Sequence, residues 1–312
     1  MEYSKSPRSY AEQADLLQAR GLIADRGLLI ERLKSVNYYR LSGYLHTFRQ
    51  MDAEGRRLDS YHPGTLFASV WRRYTFDRQL RLLTLDGIER IEIALKTRIT
   101  HDHSLKHGPF GYLDPSKLPR LTSQRHQEFL NRVHEETERS REDFVTHFSD
   151  KYGDRHTHLP LWMATEVMSY GSVLTLFHGM AEKDLKKVAA DFCLNLPLLD
   201  SWITTLNSIR NICAHHGRLW NRELGVKPKI PFIARFPEWH SPVPTRANRI
   251  FSVLTIIKYF LGYIAPQSKW PDRLKCMLEE YSEIPLNFMG FPIDWQNHSI
   301  WNPNSSQNRN KA

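Results

Sequence analysis

The sequence predicts an all-α fold: a helical bundle carrying additional helices and an irregular, proline-rich C-terminal segment. Three observations predict it. Apolar residues recur at spacings of three and four through most of the chain, as one face of a helix requires. Strict apolar–polar alternation, the mark of a half-buried strand, is almost absent. The periodic run that begins at Thr65 is long and amphipathic, as in a bundle helix.

Composition sets the outer bounds. A chain of 312 residues makes one large domain or two small ones and has ample length for a buried core. With 41% hydrophobic and 25% charged residues, it reads as soluble and globular. The net charge of +9 and isoelectric point near 9.4 favour an anionic partner, nucleic acid being the commonest. The bland alternative is a basic surface without function. Cys193, Cys213 and Cys276 are odd in number and widely spaced, so no disulfide framework or cysteine metal site is expected. No apolar targeting segment is evident near the start. The longest apolar run, FSVLTIIKYFLGYI, falls short of the roughly 20 residues that span a bilayer. The expected location is the cytoplasm, without membrane partners.

Taken in order, residues 1–9 are polar and expected to fray. A helix from Tyr10 carries Ala14, Leu17 and Ala19 and stops at Arg20-Gly21. A second from about Arg26 carries Leu29, Ile30 and Leu33. Residues 36–50, VNYYRLSGYLHTFRQ, interleave aromatic and basic side chains, which could stack on and pair with RNA. Tyr38, Leu41, Leu45 and Phe48 also have the spacing of a core stripe, the preferred reading. Residues 52–64 read as a loop. In the long helix from Thr65, Gly87 marks a bend, and Glu89 and Glu92 are either site carboxylates or an ion-paired face. His101, His103 and His107 form an H-x-H pattern with weak metal-ligand character; no metal and no cofactor is expected.

Residues 122–148 predict one polar, solvated helix with little apolar face. Residues 159–180, LPLWMATEVMSYGSVLTLFHGM, predict one apolar helix with Trp162, Val167, Val173, Leu174 and Phe177 in the core. Glu166 inside it is either paired with a cation or on a different face. A shorter amphipathic helix, EKDLKKVAADFCL, follows. After residue 223 the pattern turns irregular, then gives helices over 245–264 and 271–281.

The chemistry gathers in residues 198–222, LLDSWITTLNSIRNICAHHGRLWNR. Asp200 or Ser201 is expected to cap this helix and Gly217 to stop it in the left-handed conformation. Trp202, Leu206, Ile209 and Cys213 form one buried stripe. At about 100° per residue, Asn211 and His215 point away from that stripe. Arg210 falls at its edge, about 140° from His215, and His216 returns near it as a packed core histidine. Arg210 and His215 therefore share no narrow face, and two copies about a two-fold axis would build a fuller cleft. These residue types suit cleavage of RNA by its own 2′-hydroxyl. An imidazole titrating at about pH 6.5 can move a proton. A guanidinium grips phosphoryl oxygens in a fixed fork. Asn211 can orient either. The alternative is an Arg and a His that merely cap and pair at a helix end.

RNICAHHGRLWNR resembles the signature of the Abi family of abortive-infection proteins (AbiD/AbiF-like), a branch of the HEPN superfamily. The resemblance extends through VNYYRLSGYLHTF, FDRQLRLLTLDGIERIEIALKTRI and LPLWMATEVMSYGSVLTLF, over about residues 10–225. It implies a dimeric HEPN-type helical bundle and a metal-independent endoribonuclease that leaves a 2′,3′-cyclic phosphate. It also implies phage defence by a toxin, restrained in AbiF-like systems by a small structured RNA antitoxin. By carry-over, Arg210 and His215 are the catalytic pair and Asn211 an auxiliary. Arg218, Asn221 and Glu166 contact RNA or support the site. The layout expected is a flexible 1–9, a helical domain over 10–225, an extension over 226–300 packed on it, and a disordered tail over 301–312. A protein of this fold that binds RNA without cutting it is the alternative.

Overall fold

Side chains that cap their own helices set six of the α-helix starts. In α1 (Tyr10–Ala19) the Ser9 hydroxyl accepts from the Glu12 N–H, and the Glu12 carboxylate accepts from the Ser9 N–H, a reciprocal capping box. Ser9 is thus the anchor of α1 rather than part of a frayed end. Asp25 caps α2 (Arg26–Ser35) by accepting from the Leu28 N–H, and Asn37 caps α3 (Tyr38–Leu45) by accepting from the Tyr39 N–H. The computed structural model describes residue 2 and residues 6–302. Among these are twelve α-helices and one two-stranded sheet, so the fold is all-α. The tail expected over 301–312 lies outside the described residues from 303 on.

The chain divides into two compact units, one of residues Met1–Leu82 with Leu274–Pro285, the other of Leu83–Arg273 with Leu286–Ala312. In the first, residues 36–50 do not continue as helix. After α3 a short 3-10 turn leads into β1 (Arg49–Met51), which pairs antiparallel with β2 (Arg57–Tyr61) inside the stretch read as loop. Leu41, Tyr44 and Leu45 supply the buried face of α3, while Tyr38 and Phe48 are only half-buried. The Tyr44 hydroxyl donates to Asp77 Oδ2 at 2.6 Å, and Arg81 Nη1 donates to the same oxygen at 2.5 Å. All three side chains are buried, and burial beside the Asp77 charge pushes the Tyr44 phenol well above its ordinary value.

The second unit is built around α11 (Ile250–Ile264), which is buried on nearly every side. Its Ser252 and Thr255 hydroxyls are satisfied by the Arg249 and Phe251 carbonyls, which lets them sit in the core. Trp202, Trp239, Tyr259 and Phe260 form one aromatic cluster with ring centroids 5.0–6.2 Å apart. Trp301 is fully buried; its indole N–H donates to Thr255 Oγ1, and its ring stacks on Phe251. The part of α4 (Phe67–His107) in this unit passes close to α11 at Gly87. A Cβ there would lie 2.5 Å from Ile257 Cγ2. Gly87 gives close approach within a continuous helix.

Two predicted helices are each divided by a capping or extended residue. The run over 122–148 is α5 (Ser123–Arg139) and α6 (Asp143–Tyr152), and α5 does bury a face, His126, Phe129 and Val133. The apolar run over 159–180 is α7 (Leu161–Val167) and α8 (Tyr170–Gly179). Met168 is extended, and the Ser169 hydroxyl accepts from the Ser172 N–H to start α8. The turn rotates Trp162 and Val167 away from the core that holds Val173, Leu174 and Phe177; Trp162 is 50% exposed. After α9 (Glu182–Ala190) comes α10 (Leu196–Ala214), and later α12 (Trp270–Glu280).

Candidate functional site

The start of α10 lies further back than its apolar stripe suggests. Asn195 caps it, accepting from the Leu198 N–H at 3.0 Å, and Pro197 occupies the first turn, where its missing N–H is harmless. Asp200 and Ser201 are therefore within the helix. Asp200 pairs with His178 at 2.6 Å, and the Ser201 hydroxyl accepts from the Lys229 N–H. Trp202, Leu206, Ile209 and Cys213 are buried as the stripe requires.

The end of α10 is a full Schellman turn. The Gly217 N–H donates to the Ile212 carbonyl at 2.7 Å and the His216 N–H to the Cys213 carbonyl at 3.0 Å. His215 is the C-cap, with φ −88°, and the left-handed residue is His216, with φ +57°, not Gly217. His216 is exposed rather than packed in the core. A left-handed residue takes the chain off the helical screw, so the wheel position computed for His216 no longer applies. Gly217 serves a different need: a Cβ there would sit 3.1 Å from both Ile212 Cγ2 and the Ile212 carbonyl oxygen.

His215 and Asn211 are exposed and Arg210 is half-buried, as the helical geometry indicates. Among the described residues, neither the Arg210 guanidinium nor the His215 imidazole is engaged in a hydrogen bond or ion pair. From Arg210 to Arg222 the chain contains no acidic residue. Arg210 precedes the last turn of the helix, and Arg218 and Arg222 follow its end. Beyond the turn, Leu219 and Trp220 return to the core and are fully buried. Arg218 is half-buried, and its carbonyl accepts from Arg222 Nη1 at 3.1 Å. Asn221 is left-handed at φ +50°, and its side-chain oxygen accepts from Arg249 Nη1 at 3.4 Å. Asn221 and Arg218 thus shape the loop that follows the helix.

Glu166 stands elsewhere. It is exposed on α7 and lines a cavity of about 470 Å³ with residues of α4, and none of Arg210, Asn211 and His215 lines that cavity. Glu92 pairs with Lys96 at 3.2 Å, and Glu89 is exposed. His103 is buried against His107, ring centroids 4.8 Å apart, and His101 points into the cavity's lining. Among the described residues no group of three or more His, Cys, Asp or Glu side chains is placed to hold a metal ion. Nor is any helix there long and apolar enough to cross a membrane.

The class so defined is an all-α protein that presents an unpaired Arg and His at an exposed, cationic helix end. Residues 31–221 match the family of Abi-like proteins, and the chain belongs to that family. The match ends on Asn221 and so encloses Arg210, His215 and the whole Schellman turn. Membership ties the chain to abortive infection, that is phage defence, in general terms. No curated protein and no solved structure matches it.

Proposed function

We propose that this chain is a metal-independent endoribonuclease of the HEPN type, acting as an abortive-infection toxin, with Arg210 and His215 as its catalytic pair. The observation that carries this reading is the unpaired Arg210 guanidinium and His215 imidazole at the cationic end of α10. An Arg holds its charge at any physiological pH and offers a fork to phosphoryl oxygens, where charge grows in the transition state. His215 serves as the proton-transfer group, taking the 2′-hydroxyl proton or delivering one to the leaving 5′-oxygen. Asn211, exposed one helical turn before His215, orients the phosphate or the imidazole. The products are a 2′,3′-cyclic phosphate and a 5′-hydroxyl.

One copy of the motif supplies one Arg and one His on different sides of a helix end. A homodimer with two such ends facing one another supplies a base and an acid together, with two guanidiniums. A small structured RNA is the restraining partner in this reading, and the protein works in the cytoplasm. The test is incubation of purified protein with total cellular RNA in EDTA, wild type beside His215→Ala and Arg210→Ala, with the product ends mapped. Cyclic-phosphate ends from wild type alone support the reading. Salt-sensitive RNA binding without cleavage by any of the three proteins replaces it with a binding role.

A further inference from the structure

The cavity between α4 and α7 is a second place where unsatisfied polar groups meet an exposed aromatic face. Trp162 and Glu166 are four residues apart on α7, so their side chains lie on one face of the helix. His101, Ser104 and Leu105 are three and four apart on α4 and face the same cavity. Its volume of about 470 Å³ is in the range of small-ligand sites, roughly 300–1,000 Å³.

Trp162, Glu166, His101 and Ser104 each have a feature that packing alone leaves unexplained. Trp162 leaves half its surface in solvent. Glu166 sits in the last turn of α7, where the helix's negative end disfavours a carboxylate, and no cation or donor among the described residues offsets it. Lys96 lines the cavity but is committed to Glu92 at 3.2 Å and to the Met168 carbonyl at 3.1 Å. His101 has no partner among the described residues. The Ser104 hydroxyl is buried and has no hydrogen-bond partner, although it lines the same cavity. A buried hydroxyl left unsatisfied is rare and calls for an occupant that satisfies it.

The chemistry of this set narrows the ligand. An open indole face selects a flat π system. A free carboxylate accepts only, so it selects an edge that presents N–H donors and rejects one that presents carbonyl oxygens. Guanine carries two adjacent donors, N1–H and the exocyclic amine, which match the two carboxylate oxygens. Uracil offers a single N–H between two carbonyls. We propose that this cleft receives a guanine base of an RNA strand, stacked on Trp162 with its Watson–Crick edge on the Glu166 carboxylate. His101 and the Ser104 hydroxyl serve the remaining polar atoms of the nucleotide. The proposal rests on the RNA reading above and makes guanine the base that this protein selects.

The test is a fluorescence titration of the full chain with guanosine 5′-monophosphate, with uridine 5′-monophosphate as comparator. Trp162→Phe isolates the signal of that indole. The expected result is saturable quenching by the guanine nucleotide, with the uracil nucleotide about tenfold weaker or more, as one good edge contact gives. Glu166→Gln, an isosteric change at an exposed position, should weaken guanine binding about tenfold and leave the uracil nucleotide as before. Equal binding of the two nucleotides, or guanine binding unchanged in both Glu166→Gln and Trp162→Ala, overturns the proposal. Cleavage of RNA is scored separately. Guanine binding without cleavage overturns the ribonuclease reading and keeps this one; cleavage without guanine binding overturns this one alone.

Discussion

His215 and His216 are consecutive and both exposed, yet their backbones have opposite hands, φ −88° against φ +57°. The first closes α10 and presents its ring at the helix end. The second makes the turn. A left-handed conformation in a residue other than glycine carries strain of roughly 1–3 kcal/mol, most for a β-branched side chain. His216→Val should therefore lower stability by about 1–3 kcal/mol, while His216→Gly keeps the turn. Both variants remove the imidazole, so comparing their urea midpoints separates the backbone effect from loss of the ring.

His215 and Arg210 answer to a different measurement. Both lie where substitution leaves the buried stripe of α10 intact, so the alanine variants should unfold within about 0.5 kcal/mol of wild type. Cleavage should fall by roughly 10²- to 10⁴-fold for His215→Ala, the usual range for a lost proton-transfer group. Sedimentation of the wild type should show a dimer under the assay conditions.

Gly87 weighs two opposed effects. Alanine in a helix interior is favoured over glycine by about 0.5–1 kcal/mol. The added Cβ, however, meets Ile257 Cγ2 at 2.5 Å and Trp270 Nε1 at 3.0 Å, and the Trp270 indole is fixed by its donation to the Leu83 carbonyl. Overpacking of this kind costs about 1–3 kcal/mol, so the clash prevails. Gly87→Ala should lower the thermal midpoint, and Gly87→Ala with Ile257→Leu, which removes the Cγ2 branch at similar volume, should recover part of it.

His103 makes stability depend on pH. Burial, and then the neighbouring His107, pushes its imidazole down to about 4 from the ordinary 6.5. The folded protein holds the neutral form, while the unfolded chain takes up a proton below 6.5. The stabilisation is therefore complete above pH 6.5 and is lost as the pH falls toward 4, at up to roughly 1.4 kcal/mol per pH unit. His107, also lowered by burial, adds in the same direction; Lys106 lowers His103 further and Asp184 opposes it. Urea midpoints of His103→Leu between pH 7 and 4 should show a shallower slope than wild type.

The parts of this molecule legible in the sequence are those where period and burial agree. The stripe of α10 and the outward direction of Asn211 and His215 follow from spacing alone. Breaks inside periodic runs are hidden, because Ser169 and the residues between α5 and α6 interrupt the backbone without interrupting polarity or hydrophobicity. Trp162 is misread for that reason: two extended residues, Met168 and Ser169, separate two helices whose apolar residues read as one. The turn after α10 is misplaced by one position, since the rule favouring glycine points to Gly217 while the hydrogen bonds count from His215. The face of α5 is sparse in sequence, and one of its three buried members is a histidine, His126, held by the Tyr112 carbonyl. The cleft of α4 and α7 joins residues more than fifty positions apart, and Glu166, a carboxylate inside an apolar run, hinted at it.

Trp301 bears on the order of events at the ribosome. It lies against Phe251, Trp270 and Trp295 and bonds to Thr255 in the helix at the centre of its unit. A domain completes its packing as a unit, and this one lacks a wall until Trp301 has been synthesised and released. A nascent chain, or a product cut short before that position, leaves uncovered the faces of Phe251, Trp270 and Trp295 that Trp301 packs against.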